Sequence, residues 1–569
     1  MGESYIISID FGTTYSGYAF SLTSREEEVN PHVKFWGEEV GLETPKTPTC
    51  ILFDEHQQFV SFGYEVKQTY LRNSGKQSRA KFFFDCFKMS LYGKKVTTDL
   101  TIKAANGREM KALKVFAEAL RFLKDDALKT IQQNTEGKKF TASDFTWVLT
   151  VPAIWDHSAK QFMREAATQA GIVTEGTENN LVFALEPEAA SVYCKKLPSE
   201  GFIAENGGES KLNQSPGTQY IIVDCGGGTI DITVHEVISG RNLKELHKAS
   251  GNDLGGQTVD KQFKKFLKEI FCNGVWDEYE KSYPNEIQKI MYEFAIAKKR
   301  DDDIDITCPL NLATLAKKTH KKIEKFFKNV EGASWNDGSI KIFKQKLRSF
   351  FAQSLQGITL SLREILQKCF NIQYILLVGG YADSKILRRH ITDEFIDQCK
   401  VLCPFRPQEA IVKGAVDFGR NQGVVAFRKS AFTYGISVYE RFDASKHKPE
   451  KKYKNKHGEW CKNIFMKMLQ IDEDVGWNQV KNFNLYPVDS DQTSLSYKFY
   501  RTKHENPQYV DEEEVEKIGS FVVDSPNTAL GLNRKTEVNI EFGFTEMKAT
   551  ATDIDSGSTE SIKLDFLTN

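Results

Sequence analysis

The chain has 569 residues, with 76 Lys and Arg against 77 Asp and Glu, so its formal net charge is −1. This length exceeds a single domain of about 100–200 residues and predicts two or three units with separate cores. The balanced charge gives no general attraction to polyanions, and no apolar run reaches the length of a membrane span. We therefore expect neither a nucleic-acid partner nor a membrane span.

The first residues and the cysteines indicate a reducing compartment. A strand pattern begins by residue 5, which leaves no room for a signal peptide. The ten cysteines are scattered without C-x-x-C pairs, which favours buried free thiols over a metal site. We expect a cytoplasmic protein, with the nucleus as a second compartment.

The first predicted element is a β-strand that ends in a glycine turn. An apolar run delivers Asp10, Gly12 lets the backbone approach an anion, and Thr13, Thr14 and Tyr15 lead into a second strand. The next patterns predict an amphipathic helix, a buried strand, a helix ended by a glycine and a helix with proline in its first turn, at residues 111–133, 145–151, 158–170 and from 186. Residues 206–217 are rich in Gly, Ser and Asn and predict a surface loop.

A second glycine turn repeats the chemistry of the first one. Asp224 follows Asp10 by 214 positions, again at the end of an apolar run, and is followed by Gly226, Gly227, Gly228, Thr229 and Asp231. Backbone amides in such turns, with neighbouring hydroxyl groups, bind phosphate oxygens. Either turn alone has an ordinary strand end as its alternative interpretation. The pair predicts two phosphate clips on two lobes that grip one nucleotide.

Later patterns divide the rest of the chain into an α/β part and a β-rich part. A lysine-rich helical region, a short buried strand and two helices are predicted at residues 256–299, 374–378, 384–398 and 408–420. After about Val425, apolar residues recur with period two, which predicts strands. The basic run 446–457 favours a solvated loop over a nucleic-acid or phosphoinositide patch, because few aromatic residues are interleaved.

The two clips carry the chemistry of phosphoryl transfer. That reaction needs a metal ion, positive charge, a positioned water and backbone donors. Asp10 and Asp224, brought together across a cleft, would repel each other without a divalent cation, which predicts Mg²⁺ held largely through water. Signatures of other nucleotide enzymes are absent from the sequence, since it has neither a G-x-x-x-x-G-K-[ST] loop nor an H-R-D motif.

Seven motifs, in order along the chain, resemble the ATPase domain of the seventy-kilodalton heat-shock chaperone superfamily. They are Asp10–Tyr15, Thr150–Ala153, Glu186–Ala190, Asp224–Asp231, Leu254–Gly256, Val378–Gly380 and Glu409–Ala415. The tail resembles the heat shock protein twelve branch at Glu459–Cys461, Glu541–Asp553 and Asp565–Leu567. The resemblance implies an α/β, actin-like two-lobed ATPase with duplicated ribonuclease-H-like lobes at 1–218 and 219–424, followed by a divergent β-rich region at 425–569.

The same resemblance implies ATP or ADP and Mg²⁺ as cofactors and assigns the site. Asp10, Glu186 and Asp224 would surround hydrated Mg²⁺, with Thr229 beside them. Lys88 would orient the attacking water; its alternative is a surface lysine on an apolar hairpin. The nucleotide contacts implied are Gly12, Thr13, Thr14, Tyr15, Gly226, Gly227, Gly228, Asp231, Gly255, Lys298, Lys299, Gly379, Gly380 and Ser384.

The sequence departs from the family pattern at the nucleoside and in the tail. Ala295 stands where an acidic residue is expected one turn before Lys298, and residues 381–384 replace an expected arginine. Each lost contact costs about 1–2 kcal/mol, so we expect weaker nucleotide affinity or a looser base preference. The tail also lacks the acidic, leucine-rich linker and the helical lid of typical members.

Four functions follow from these patterns. The first is an ATP-driven, slowly hydrolysing conformational switch that acts on protein clients or regulatory partners, with a nucleotide-exchange factor as a further partner. The second is a nucleotide-binding scaffold or adaptor with little hydrolysis. A sugar or glycerol kinase of the same fold would need a catalytic carboxylate after the first clip, and none stands in a suitable context. An actin-like filament former is the structural alternative.

Overall fold

The computed structural model describes residues 5–22, 30–72, 75–135, 137–207, 211–368, 371–542 and 547–563. The tail motif Asp565–Leu567 and residues 543–546 lie outside them. Contacts between residues divide the chain into unit 1, with 1–155, 162–237 and 249–424, and unit 2, with 156–161, 238–248 and 425–569. Among the described helices, none combines the length and apolar character that crossing a membrane requires.

Outside residues 256–299, each helix that the sequence predicts is observed with bounds within a few residues, whereas the helices at 64–72, 75–80, 310–319 and 344–366 were not predicted. In chain order they are α1 Tyr64–Arg72, α2 Gly75–Ala80, α3 Ala112–Asn134, α4 His157–Gln169, α5 Glu186–Cys194, α6 Gly256–Ile270, α7 Val275–Ser282, α8 Pro284–Ala297, α9 Leu310–Thr319, α10 Lys344–Leu366, α11 Lys385–Phe395 and α12 Ala410–Arg420. The predicted helical region 256–299 is three helices, because Phe271–Gly274 and Tyr283 interrupt it.

The strands precede, separate and follow these helices. In chain order they are β1 Tyr5–Phe11, β2 Tyr15–Ser21, β3 His32–Val33, β4 Thr47–Pro48, β5 Cys50–Phe53, β6 Phe59–Phe62, β7 Phe82–Asp85, β8 Thr101–Lys103, β9 Glu109–Lys111, β10 Phe145–Val151, β11 Leu181–Leu185, β12 Phe202–Ile203, β13 Gln219–Cys225, β14 Ile230–Val237, β15 Leu243–Asn252, β16 Ile304–Thr307, β17 Ala333–Asn336, β18 Ser339–Ile342, β19 Ile372–Val378, β20 Lys400–Pro404, β21 Val425–Lys429, β22 Thr433–Arg441, β23 Lys452–Asn455, β24 Gly458–Leu469, β25 Asp474–Gly476, β26 Val480–Leu485, β27 Ser494–Thr502, β28 Glu516–Asp524, β29 Thr536–Phe542, β30 Met547–Asp553 and β31 Thr559–Lys563.

Two sheets of unit 1 carry the two glycine turns. In one sheet β1 pairs in parallel with β10 and antiparallel with β2, and β10 pairs in parallel with β11. In the other, β13 pairs in parallel with β19 and antiparallel with β14, and β19 pairs in parallel with β20. Their central strands are buried apolar runs, as expected for sheets covered on both faces. Each glycine turn connects a central strand to its antiparallel neighbour.

A close crossing of two helices connects the elements that carry the acidic residues. A Cβ atom at Gly414 of α12 would lie 1.7 Å from the carbonyl oxygen of Ala189 in α5. On its other side α12 contacts β1, where Ser8 Oγ donates a hydrogen bond to the Val412 carbonyl over 2.7 Å. The crossing therefore fixes the start of α5, which bears Glu186, relative to the strand that ends at Asp10.

Unit 2 is a β-sandwich with its own core. One sheet has the order β23-β24-β22-β27-β28, and the other has the order β26-β29-β30-β31. Inward-facing residues of both sheets, such as Ile436, Phe499, Val538 and Ile540, form one buried cluster. The alternating pattern after Val425 is therefore confirmed as strands whose alternate residues face a shared core.

The basic run 446–457 differs in part from its prediction as a loop. It contains a 3-10 turn and the edge strand β23, which pairs with β24 as a hairpin. Several of its lysines have acidic partners, since Lys451 pairs with Asp511 and Lys456 pairs with Asp489 over 3.1 Å. Ion pairing on a solvated hairpin favours the structural interpretation of this run over a polyanion site.

We expect Gly414→Ala to lower the free energy of unfolding by about 3 kcal/mol or more. A methyl group at this position would overlap a backbone carbonyl that cannot rotate away. This cost exceeds the gain of about 1 kcal/mol that alanine brings in a helix. Urea denaturation measures the change, and Gly380→Ala is the control, because no atom lies within 4 Å of its added Cβ. Equal midpoints for both variants would contradict the close crossing.

Candidate nucleotide site

Both glycine turns line one cavity of about 320 Å³ in unit 1. A Cβ atom at Gly227 would lie 1.9 Å from Thr14 Oγ1, and one at Gly228 would lie 2.7 Å from Thr13 Oγ1. The two turns therefore face each other so closely that only glycine fits on the second one. The implied site residues that line this cavity are Asp10, Gly12, Thr13, Thr14, Tyr15, Lys88, Glu186, Asp224, Gly226, Gly227, Thr229, Lys298, Lys299, Gly379, Gly380 and Ser384.

Three implied site residues lie behind the cavity lining, namely Gly228, Asp231 and Gly255. At the start of α6, the amides of Gly255 and Gly256 donate to the carbonyls of Gly228 and Gly226 over 3.3 and 3.1 Å. Asp231 is fully buried, and its Oδ1 accepts the Ile154 amide over 3.0 Å. These contacts hold the second turn in shape, and the nucleotide roles of the three residues stay predictions.

Four buried carboxyl groups converge at the inner end of the cavity, those of Asp10, Glu186, Asp224 and Asp231. Lys88 Nζ donates to Glu186 Oε1 over 2.7 Å. Lys88 is 2% exposed, so the alternative of a surface lysine does not hold. It lies in the 3-10 helix Phe87–Leu91, with its ammonium 5.1 Å from the centre of the Trp155 ring.

Burial disfavours the ionised state of Glu186, Asp224 and Asp231, and neighbouring acids add to this effect on Glu186 and Asp224. Burial raises the pKa of Glu186 to about 7, with Lys88 opposing that shift and Asp10 adding to it. Burial also raises the pKa of Asp224 well above its usual range, and the charges of Glu186, Asp231 and Asp10 reinforce the effect. Glu186 and Asp224 therefore ionise more readily when a cation binds beside them, which favours an added cation.

The residues present fit a hydrated magnesium ion bound together with phosphate. In the described part of the chain, Asp224 Oδ1 and Thr14 Oγ1 are buried without a hydrogen-bond partner. Across the described residues, no group of three His, Cys, Asp or Glu side chains could hold a metal ion directly. An ion that keeps several waters and takes phosphate oxygens as ligands matches this arrangement, and Mg²⁺ has that preference.

The outer end of the cavity is apolar and aromatic. It is lined by Leu42, Tyr64, Tyr292, Ala295, Ile296, Phe351 and Tyr381. Lys298 Nζ donates to the Gly256 carbonyl over 2.8 Å and to Asp260 Oδ1 over 2.6 Å. Lys299 Nζ donates to Asp383 Oδ2 over 3.1 Å. Both lysines predicted at the nucleoside thus line the cavity, while their ammonium groups bind protein oxygens.

Among the described residues that line the cavity, none substitutes for the arginine missing from residues 381–384. Arg388, four residues further on, is buried and donates to Glu205 over 2.7 Å and to the Ala382 carbonyl over 2.9 Å. It is absent from the cavity lining. The Arg388 guanidinium therefore stabilises the Gly-Gly turn. Aromatic rings of the lining, and not a guanidinium, are left to contact a base.

Sequence reasoning missed Lys46, which lines the cavity and forms a buried ion pair with Asp10. Thr150 Oγ1 donates to the other carboxylate oxygen of Asp10 over 3.1 Å. A signal for Lys46 was present in the sequence, because it is the one charged residue between Thr44 and Phe53. A lone lysine before a buried strand has a strong need for a carboxylate partner.

Comparisons with known proteins agree with this geometry. The model of a family described as Hsp70 protein matches residues 6–420. Heat shock 70 kDa protein 12A of Mus musculus is 33% identical over 99% of this chain and 91% of its own length. Heat shock 70 kDa protein 12B of Homo sapiens is 31% identical over 100% of this chain and 91% of its own. Chaperone protein DnaK of Thermosipho melanesiensis is 23% identical over 77% of this chain and 64% of its own.

The fold and the paired glycine turns define an α/β protein of the class that holds one ligand between two sheets. The chain belongs to the HSP70 family, as its ordered motifs predict. The similarity to the 12A and 12B proteins extends over the whole chain, which confirms the resemblance of the tail to the heat shock protein twelve branch.

We expect Lys88→Met to destabilise the nucleotide-free protein by about 3–5 kcal/mol. The change leaves Glu186 buried among carboxylates without its cation. The double variant Lys88→Met/Glu186→Gln removes both charges and should recover most of the loss. Thermal unfolding in EDTA measures both, with the exposed Lys95→Met as the control. A single variant as stable as wild type would show that the ion pair is not formed.

Proposed function

We propose that this protein is an ATP-driven conformational switch of the heat-shock-70 type. The two glycine turns would bind the phosphates of Mg-ATP between duplicated ribonuclease-H-like lobes at 1–218 and 219–424, and lobe closure would report the state of the nucleotide. The region 425–569 would carry that signal to protein partners. The chaperone proteins among its relatives support a chaperone-like or regulatory role.

The observation that carries this proposal is the meeting of the two turns. Thr14 Oγ1 and Asp224 Oδ1 are buried and lack partners among the described residues, and they lie on opposite turns of one cavity. Unpaired buried polar atoms cost about 1–3 kcal/mol each, so their retention indicates a ligand that pairs with them. Polyphosphate with a hydrated cation offers both the acceptor for the threonine and the charge for the aspartate.

The residues around this point have the properties needed for slow hydrolysis. Bound Mg²⁺ would neutralise charge that develops on the phosphates. Lys88 would orient the attacking water and stabilise the same charge, with Glu186 holding its ammonium in place over 2.7 Å. Thr13 and Thr229 line the same end of the cavity and would donate to phosphate oxygens. The proposed hydrolysis uses no covalent intermediate on the protein.

A nucleotide-dependent scaffold with little hydrolysis is the second candidate. The nucleoside end favours it, because Lys298 and Lys299 bind protein oxygens and Ala295 offers no hydrogen bond to a ribose. Fewer contacts to the nucleoside lower the affinity for nucleotide, whereas the two glycine turns keep all the residues predicted to bind the phosphates. Binding and turnover therefore have to be measured separately.

We expect the purified full chain to bind Mg-ADP and Mg-ATP in calorimetric titrations. Gly227→Ala should weaken both by roughly tenfold or more, because its methyl group would overlap Thr14 Oγ1 and separate the turns. Gly476→Ala is the control, since its Cβ would meet only ordinary contacts at 3.5 Å in unit 2. Wild-type protein that binds neither nucleotide would leave the fold without the proposed function.

Turnover separates the switch from the scaffold. We expect slow release of phosphate from ATP by wild type and a decrease of roughly 10²-fold in Lys88→Ala, because the variant loses a charge placed at the transferred phosphoryl group. Lys95→Ala, an exposed lysine on the same segment, should keep the wild-type rate. Equal rates for wild type and Lys88→Ala, with nucleotide binding retained, would favour the scaffold.

A further inference from the structure

Lys46 is a second buried lysine that lines the cavity, and its carboxylate partner differs from that of Lys88. Its side chain is 8% exposed, and its ammonium pairs with Asp10 Oδ2. Lys88 instead pairs with Glu186 Oε1. The two cations thus come from different segments and neutralise different carboxylates.

The chain positions Lys46 through the strand pairing beside the first glycine turn. β4 begins at the next residue and pairs with β2, where Thr47 lies opposite Ser16. Gly17, the next residue of β2, makes room for the lysine stem, since a Cβ there would lie 3.0 Å from Lys46 Cγ. Thr44 Oγ1 donates to the Lys46 carbonyl over 2.9 Å and orders the turn before it. The lysine is therefore built into the phosphate side of the cavity.

The charges at this end show what Lys46 contributes. The carboxylates of Asp10, Glu186, Asp224 and Asp231 would total −4 when ionised, against +2 from Lys46 and Lys88. Lys46 also acts on Asp224, where its charge opposes the raised pKa of that acid. A lysine ammonium is a compact point charge that binds phosphate as well as carboxylate. Lys46 lines the same cavity as Gly12, Thr13 and Thr14 of the first turn.

We propose that Lys46 is a fixed counter-cation for the nucleotide polyphosphate, which lets the protein hold ADP with reduced dependence on a divalent ion. The inference rests on the proposed nucleotide binding and extends it to the source of positive charge. Next to Asp10, the Lys46 ammonium neutralises both the carboxylate and the phosphates. This is part of what a divalent cation does at the site. A lysine that only satisfies Asp10 would have no such effect.

The test is calorimetric titration of ADP into the full chain in two buffers, one with Mg²⁺ and one with EDTA. The quantity of interest is the dissociation constant in EDTA divided by the dissociation constant in Mg²⁺. We expect wild type to bind ADP measurably in EDTA. Lys46→Met should raise the ratio by roughly tenfold or more, because it removes a charged contact to the phosphates. Lys46→Arg keeps the charge and should keep most of the wild-type behaviour, and Lys95→Met should leave the ratio unchanged.

The outcomes separate this inference from the function on which it rests. Wild type that binds ADP with Mg²⁺ but not in EDTA overturns the role of Lys46 alone. Equal ratios for wild type and Lys46→Met reduce Lys46 to a structural partner of Asp10. Wild type that binds ADP in neither buffer overturns the proposed function and the inference with it. If Lys46→Met fails to fold in thermal scans, a wild type that does not bind ADP in EDTA still overturns the inference.

Discussion

The crowding of negative charge at one end of a cavity is the constraint on which this structure depends. Asp10, Glu186, Asp224 and Asp231 are buried together, and each raises the energy of its neighbours when ionised. Such a cluster destabilises the protein unless something compensates for it. Two lysines compensate in part. Because burial raises the pKa of Glu186 and of Asp224, these acids ionise more readily when a cation binds beside them, which links the cluster to a cation that binds together with an anion.

The rigid parts of unit 1 make that crowding possible. The four acids stand at the end of β1, the start of α5, the end of β13 and the start of β14, so two separate sheets and a helix supply them. Each of these elements packs into a buried apolar core, and the stability of that core offsets the cost of burying the acids. Gly414 and Gly227 remove the side chains that would keep α5, α12 and the two turns apart. Glycine is therefore used for approach between elements as well as for turns.

Local chemistry in the sequence predicted the turns, the strands beside them and most helix positions. The β13 turn, for example, needs only an apolar run, an acid and three glycines. Contacts between distant residues could not be predicted in this way. Lys46 and Asp10 are 36 positions apart, and the capture of Lys298 by Asp260 depends on how α6 packs against α8. The division of residues 256–299 into three helices was missed although the sequence has helix-breaking residues, Gly274 and Pro284, at the two breaks.

Unit 2 has to be interpreted from its own structure, because the family model stops at residue 420. Arg534 is 1% exposed and donates to the carbonyls of Ser490, Ser525 and Gly531 over 2.9–3.1 Å. Ser525 directly follows β28 of one sheet and Arg534 lies two residues before β29 of the other, so the guanidinium connects loops of both sheets. Opening these loops would leave a buried charge unpaired, at a cost of several kcal/mol. The loops around Arg534 are therefore among the most firmly fixed parts of unit 2.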